Sequence, residues 1–576
     1  MIKYQIIDNL IKIINIFNVN INPDLIDLQF PSNPNFGDYS TSIALKLSKI
    51  LKKNPLEIAK NIKKNFHKND IIEKIDIIKP GFINFWITKK EFINQLKTIA
   101  NNQFNFPQFT LGKNKKIMIE FAHPNTHKLF HIGHLRNISI GESIARIFEA
   151  VGNKVIRTNY QGDIGLHIAK CLWAIKNSTL KIENLKTLKE KIEFIGKIYT
   201  VGTKAYEKNK NAKEEIHKIN KMIYDNNPEI NSLWQETKNW SLEYFNKIYQ
   251  RVYTSFNKFY FESEVAKRGL EISYKIFKKG ILEKSQGAIV FNGKKYGLDT
   301  RVFINSLGLP TYEGKELGLA EKEFSDFGDL DKNIHITTPE QKSFFQVTFK
   351  VEELMNKKYK NKQLHLAYEW VKLKQGKMSS REGNIIEANW LINTIKEKII
   401  KNFNCDEKTA ETLAVASAKY SFLKNSLQTI IHFDIDESIA VEGNSAPYLI
   451  YTYVRCQSVL SRHNSKTQGH IQNLNCNDYI IFNSPPSKMT KSETDLLRKL
   501  YQFPEIIFKA AEKYSPNLIA NYLYQLASDF NLFYQKNPIL KAEKEIKKLR
   551  LMITKTTANI IRKGLELLGI KTVERM

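Results

Sequence analysis

At 576 residues the chain is too long for one hydrophobic core and implies roughly three to four domains. Its 42% hydrophobic and 26% charged content is that of a water-soluble globular protein, and no apolar run approaches the ~20 residues of a membrane span. The formal net charge of +29 favours a polyanionic partner, nucleic acid first among them, although lysine is also enriched in stretches that read as plain solvated helix.

In chain order, residues 1–20 carry many isoleucines, but Lys3, Asp8, Asn9 and Lys12 interrupt them. Ile6, Ile7, Leu10, Ile11 and Ile14 keep helical spacing, which predicts an amphipathic helix of a folded domain rather than a secretion signal, and hence a cytoplasmic protein. Residues 1–95 read as a small α/β domain, with a helix over Ser42–Leu51 and Lys79-Pro-Gly-Phe-Ile-Asn-Phe85 as a turn feeding a strand. A linker rich in Asn, Phe, Pro and Gly follows.

From Lys116 strand and helix alternate: strand Ile117–Ala122, helix Ile132–Val151, strand Val155–Asn159, and a helix starting near Ile164. That order predicts a parallel sheet with nucleotide at the carboxyl ends of its strands. Residues 180–280 are expected to interrupt it as a charged helical insertion holding Trp234, Trp240, Phe245 and Tyr249. The sheet should resume at Asn333–Thr337 and His365–Lys372, closing a catalytic domain over residues 113–385. Residues 386–576 read as an all-helical bundle.

Two segments carry chemistry. Glu120-Phe-Ala-His-Pro-Asn-Thr-His-Lys-Leu-Phe-His-Ile-Gly-His-Leu-Arg-Asn137 ends a strand, turns at Pro124 and opens a helix. A helix N-terminus favours anionic phosphate oxygens; His131 and His134 add donors, and Gly133 leaves room for a base or ribose. His123, His127, His131 and His134 have spacings that suit zinc, but the turn at Pro124 breaks any shared helical face and no H-E-x-x-H is present. Cys171, Cys405, Cys456 and Cys476 are scattered, which argues against a disulfide framework and a structural metal. The second segment, Gly376-Lys-Met-Ser-Ser-Arg-Glu-Gly-Asn384, is a polar loop with one lysine and two hydroxyls; it is not a Walker loop.

Together, His131-Ile-Gly-His134 and Lys377-Met-Ser-Ser380 resemble the two signatures of class I aminoacyl-tRNA synthetases, and the arginyl-tRNA synthetase family in particular. The resemblance spans the chain. Phe36-Gly-Asp-Tyr39 and Pro80-Gly-Phe-Ile-Asn-Phe85 look like that family's N-terminal domain, and Asn159-Tyr-Gln-Gly-Asp-Ile-Gly165 like the segment after its second strand. Gly443-Asn-Ser-Ala-Pro-Tyr-Leu-Ile-Tyr451 with Arg455, and the ending Leu568-Gly-Ile…Glu574-Arg-Met576, look like its anticodon-binding bundle.

The resemblance implies a Rossmann-like α/β catalytic domain, a small α/β N-terminal domain that contacts tRNA, and a helical anticodon-binding domain. It also implies ligation of L-arginine to tRNA(Arg) through an arginyl-adenylate, with ATP–Mg2+ as substrate complex, no protein-bound structural metal, and a monomer. His131, Gly133, His134, Lys377, Met378, Ser379 and Ser380 match ATP-site positions. The class signature has a second lysine where this chain has Ser380; Lys128, just before the histidine motif, is expected to supply that charge. Glu120, Asn125, Tyr312, Glu316 and Gln341 match arginine-binding positions, Glu316 standing where the family has Asp. Tyr448, Tyr451 and Arg455 are expected to meet unstacked tRNA bases and phosphates.

Overall fold

The computed structural model describes residues 2–31, 33–66, 70–101, 114–180, 182–374, 386–466, 486 and 489–576. The chain divides into two compact units: residues 1–106 with 455–504 and 525–560, and residues 107–454 with 505–524 and 561–576.

In the first unit, the apolar stripe of helix Ile2–Ile16 buries Ile2, Ile6, Leu10, Ile13 and Ile14, rotated slightly from the expected Ile7 and Ile11. Strands β1 (Tyr39–Thr41), β2 (Ile72–Ile78) and β3 (Phe82–Ile87) form an antiparallel sheet in the order β1-β3-β2. Asp38, buried at its edge, accepts from Ile87 N at 2.7 Å and pairs with Arg498 at 2.8 Å.

The second unit is organised by a five-stranded, all-parallel sheet. Its strands are β4 (Lys116–Glu120), β5 (Lys154–Gln161), β6 (Lys258–Phe261), β10 (Lys332–Thr337) and β11 (Gln363–Ala367), in the order β11-β10-β4-β5-β6. Between β6 and β10 lies a small antiparallel sheet of β7 (Glu283–Ser285), β8 (Ala288–Phe291) and β9 (Arg301–Ile304), which the sequence patterning did not suggest. The chain leaves β4 toward β5 on one side and returns to β10 on the other. The strand order therefore reverses between β4 and β10, and their carboxyl ends part to leave a crevice, the usual ligand position in such sheets.

Helix Ile132–Ala150 fills the space over β4 and is buried on nearly every side; a Cβ on Gly141 would sit 2.2 Å from the Phe121 ring. Helices Glu262–Lys278 and Tyr312–Asp326 cross so closely that a Cβ on Gly269 would meet Gly314 O at 2.2 Å and one on Gly318 would meet Val265 O at 2.5 Å.

Three differences from the sequence reading have physical causes. The helical interruption, Leu188–Arg251 at its core, ends earlier than residue 280, because the four residues Lys258–Phe261 pair with β5. The stretch read as one strand over His365–Lys372 is two: β11 joins the large sheet, whereas β12 (Val371–Leu373) pairs in parallel with β13 (Ile431–Phe433). The latter is a strand within an otherwise helical region. Among the described residues no helix is long and apolar enough to cross a membrane.

Arg136, fully buried, ties these parts together. Its Nη1 donates to Glu369 O (2.5 Å) and Trp370 O (2.9 Å), and its Nη2 to Leu427 O (3.4 Å) and Thr429 O (3.0 Å). Arg136→Met removes the side-chain donor from Glu369 O and Thr429 O, while Trp370 O and Leu427 O keep the backbone donors Ile431 N (2.9 Å) and Glu369 N (2.8 Å). The expected cost is about 3 kcal/mol, read as a lower urea midpoint; Arg136→Lys, with fewer and unforked donors, should recover only part of it.

Candidate active site

The turn after β4 is unusual before any ligand is considered. Ala122, His123 and His127 all have positive φ (82°, 48° and 62°), a region disfavoured for residues with a Cβ. Hydrogen bonds hold the turn there. Ala122 N donates to Asn137 Oδ1 at 2.5 Å, Thr126 N to Gly162 O at 2.9 Å, and His127 N to Ser241 Oγ at 2.9 Å. The His127 ring is buried and bonded to Thr126 Oγ1 (3.1 Å) and Thr237 Oγ1 (2.8 Å), so it fastens the turn from below.

His131 then caps helix Ile132–Ala150. Its Nδ1 accepts from Gly133 N at 3.1 Å, and His134 Nδ1 accepts from His131 N at 3.1 Å. The two rings stack with centroids 3.7 Å apart, and a Cβ on Gly133 would approach His131 Cε1 to 2.9 Å, so only glycine lets the ring fold over the helix start. Burial, with Lys128 nearby, lowers His131 to about 4; burial and the neighbouring His131 hold His134 well below the usual range. Both imidazoles are therefore neutral at pH 7. Since each Nδ1 is an acceptor, each proton sits on Nε2, giving two neutral donors at a helix N-terminus.

The cavity at the β4/β10 crevice measures about 630 Å³ and takes in His131, Gly133, His134, Glu120, Asn125, Tyr312, Glu316 and Gln341 among its lining residues. The structure thus gathers all the expected amino-acid-pocket positions and the histidine motif around one space. They differ in setting. Glu120 and Glu316 are nearly inaccessible (2% and 4% exposed), Gln341 is exposed, and Tyr312 is 63% exposed although it shares a helix face with Glu316. Asn125 lies against Gly162, where a Cβ would come within 2.2 Å of Asn125 Oδ1.

Burial raises the Glu120 carboxyl to about 7, and burial with the neighbouring carboxylates raises Glu316 to about 8. Glu120 Oε2, Glu316 Oε1, Tyr160 Oη and His123 Nε2 are buried without a hydrogen-bonding donor or acceptor, all around this cavity. Such atoms are costly unless a ligand completes them. The arrangement offers an anionic floor at one end and two neutral N–H donors at a helix terminus at the other.

Lys128 does not line the cavity; its Nζ stands 5.3 Å from the centroid of the Tyr199 ring in the helical insertion. Lys377, Met378, Ser379 and Ser380 lie outside the described residues. In helix Ala446–Lys466, Tyr451 is 40% exposed, Tyr448 packs against Tyr524 at 5.8 Å, and Arg455 donates to Asn531 Oδ1 at 2.6 Å and covers the Tyr534 ring. The four histidines of the first motif do not converge, and among the described residues no group of three or more His, Cys, Asp or Glu is arranged to hold a metal ion.

Sequence patterning missed Tyr160, His123, Asn137, Arg301 and Tyr368 on the cavity wall. Tyr160 sits near the carboxyl end of β5, a position that could have flagged it. Asn137 was visible only as the residue ending the histidine segment.

Comparison with known proteins gives three family matches that cover most of the chain. They are the arginyl tRNA synthetase N terminal domain over residues 1–87, the class I (R) tRNA synthetase catalytic domain over 95–434, and the DALR anticodon binding domain over 449–576. The chain is 31% identical over 562 residues to the arginine–tRNA ligase of Fusobacterium nucleatum, covering 96% of this chain and 95% of that protein. It is 29% identical to that of Halothermothrix orenii, covering 100% and 99%. The solved arginyl-tRNA synthetase of Thermus thermophilus superposes with a TM-score of 0.82 over 100% of both chains at 22% identity, which speaks to the fold.

Proposed function

The chain belongs to the arginyl-tRNA synthetase family, and from that premise we propose how its own residues charge arginine onto tRNA. The reaction is ATP-dependent attachment of L-arginine to its tRNA. The observation that carries the assignment of parts is the single cavity joining two buried carboxyls to two neutral imidazoles.

In this reading the guanidinium lies against Glu120 and Glu316, a fork of donors against buried acceptors. Asn125 and Gln341 orient the α-amino and carboxylate groups, and Tyr312 closes the mouth. ATP enters as its Mg2+ complex, with phosphate oxygens at the start of helix Ile132–Ala150. The Nε2–H groups of His131 and His134 donate to them, and Lys377 with Ser379 and Ser380 contributes from the second motif. A carboxylate oxygen of arginine attacks the α-phosphorus in line, the bond to the β-phosphate oxygen breaks, and pyrophosphate leaves. The 2′-hydroxyl of the terminal adenosine then attacks the acyl carbon of arginyl-adenylate and AMP departs. No protein nucleophile is needed, so the site works by positioning and charge stabilisation.

Neutral imidazoles suit this work because they donate without pairing permanently with the pyrophosphate product. Lys128 supplies the positive charge that Ser380 does not, and its place over Tyr199 puts it within electrostatic reach of both histidines. Tyr448, Tyr451 and Arg455 belong to the tRNA-binding surface, and the enzyme acts as a cytoplasmic monomer.

The deciding experiment is incubation of the protein with ATP, magnesium, total tRNA and each of the twenty radiolabelled amino acids. Arginine alone should enter an alkali-labile product, and incorporation of a different amino acid sinks the assignment. Glu316→Gln removes one partner of a buried ion pair and should raise the arginine KM by at least a hundredfold, equivalent to about 3 kcal/mol or more. Lys128→Ala should slow arginine-dependent ATP–pyrophosphate exchange, with tRNA present, by tenfold or more; a rate within about threefold of wild type removes Lys128 from the mechanism.

The pH dependence follows from the raised carboxyls. Protonated Glu120 and Glu316 are poor partners for a guanidinium, and their protonated fraction grows as pH falls below about 7 and 8. The arginine KM should therefore fall on going from pH 6 to pH 8.5, by about tenfold from Glu120 and by more than a further tenfold from Glu316, levelling off above that range. A KM that is flat or rises over that range contradicts the assignment of these two groups.

A further inference from the structure

Beneath the floor of the amino-acid pocket lies a chain of buried polar groups that the mechanism above does not use. His335, on β10, is fully buried and faces Glu120 across the β4–β10 pairing. Its Nδ1 is 3.0 Å from Glu120 Oε1 and its Nε2 is 3.1 Å from Gln363 Oε1. The other end of the Gln363 amide reaches Glu352, its Nε2 lying 2.7 Å from Glu352 Oε2. His335 thus bridges the strands on either side of β10, held to Glu120 of β4 through one ring nitrogen and to Gln363 of β11 through the other. Phe345 and Phe349 pack around it, with ring centroids 5.1 and 5.4 Å away.

The surroundings make that bridge consequential. Glu323, fully buried, accepts from Asn333 Nδ2 at 2.7 Å, and burial and the nearby Glu120 carboxyl together push its own carboxyl well above the usual range. Two facing carboxyls with no cation share a proton and close on each other, because like charges this close do not both ionise. Glu316 and Glu352 add two further buried carboxyls to the same cluster. The favourable charge acting on Glu316 and Glu323 comes from His335.

We propose that His335 is a positioning residue for arginine recognition: anchored by Gln363, it holds Glu120 in register for the guanidinium and keeps it from pairing off with Glu323. This rests on the assignment of Glu120 and Glu316 to the arginine pocket. It adds a determinant that touches no substrate atom and whose effect is confined to the amino acid.

The test uses the full-length enzyme with steady-state tRNA charging, varying arginine and ATP separately. His335→Phe keeps a ring against Phe345 and Phe349 but loses both donors. It should raise the arginine KM about 30-fold or more, leaving the ATP KM within about threefold and kcat at saturating arginine within about fivefold. His335→Asn, whose amide can occupy the Nδ1 position as a donor to Glu120, should bring the arginine KM back to within about fivefold of wild type. Should His335→Phe be insoluble, Gln363→Met, which removes the anchor at Nε2 with little change of volume, should raise the arginine KM alone, by about fivefold or more. The proposal is overturned by an arginine KM within about threefold of wild type in the folded variant. It is equally overturned by parallel rises in both KM values without recovery in His335→Asn, the pattern of a merely structural residue. Failure of the wild-type enzyme to charge arginine at all would instead strike the underlying assignment of the pocket.

Discussion

The cavity exists because β4 and β10 part company, and two adjacent side chains make that parting stable. Where neighbouring parallel strands diverge, their last peptide groups lose ladder partners, and unpaired buried peptide groups are expensive. Asn137 meets the need on the cavity side: its Oδ1 accepts from Ala122 N, and its Nδ2 donates to Ile336 O at 2.7 Å and Tyr368 Oη at 3.2 Å. Arg136, one residue earlier, donates to the carbonyls of residues 369, 370, 427 and 429, of which 370 and 427 also accept from the backbone N–H groups of Ile431 and Glu369. One turn of helix Ile132–Ala150 therefore fixes the end of β4, the end of β10 and the segments beyond β11. The positive-φ turn at Ala122 and His123 is a consequence. The backbone is bent to present Glu120 and the histidine motif to the same space, and Asn137 keeps it bent.

That fixed crevice allows opposite electrostatic choices at its two ends. At the helix start, burial and mutual proximity keep His131 and His134 neutral, and the folding of each ring onto a backbone N–H fixes the tautomer. At the sheet edge, burial gathers carboxyls whose favourable charge comes from His335 and, in the proposed reaction, from the substrate. A site preloaded with lysine or arginine at the floor would be more comfortable when empty and would bind a guanidinium poorly. The raised carboxyls are what burial without a nearby lysine or arginine produces, and they fit the proposed role of a pocket that receives its cation with the substrate.

How much of this is legible in the residues depends on sequence separation. The histidine motif is readable because strand, turn, cap and helix are contiguous, and the structure places each where the pattern puts it. Tyr312 and Glu316 are readable as a helix-spaced pair, although the spacing does not reveal that one is open to solvent and the other sealed. His335 is not readable at all: its partners Glu120 and Gln363 are 215 and 28 residues away. In a single sequence it is one more histidine in an apolar strand. Strands β6 and β13 were missed, and β12 was merged with β11, for a related reason. At three or four residues they are defined by the strand each pairs with, not by any period of their own.

Glu120 ends a strand and Glu316 sits in a helix, so the two carboxyls reach the pocket from different elements whose spacing the sheet and the Gly269–Gly318 crossing hold rigid. This bears directly on the rejection of lysine. A guanidinium spreads its charge over a planar fork and can donate to two carboxylates at once, whereas an ammonium is a compact charge on a single atom. Lysine seated against Glu120 leaves Glu316 buried and unpaired, and the reverse holds if it shifts. A carboxyl left without its partner takes up a proton near neutral pH, so lysine forgoes one of the two charge-assisted pairs that a guanidinium makes. On the proposed assignment, discrimination arises from the rigidity of two elements rather than from a steric block. It fails only if one carboxyl is free to follow the substrate, and anchoring at His335 prevents Glu120 from doing so.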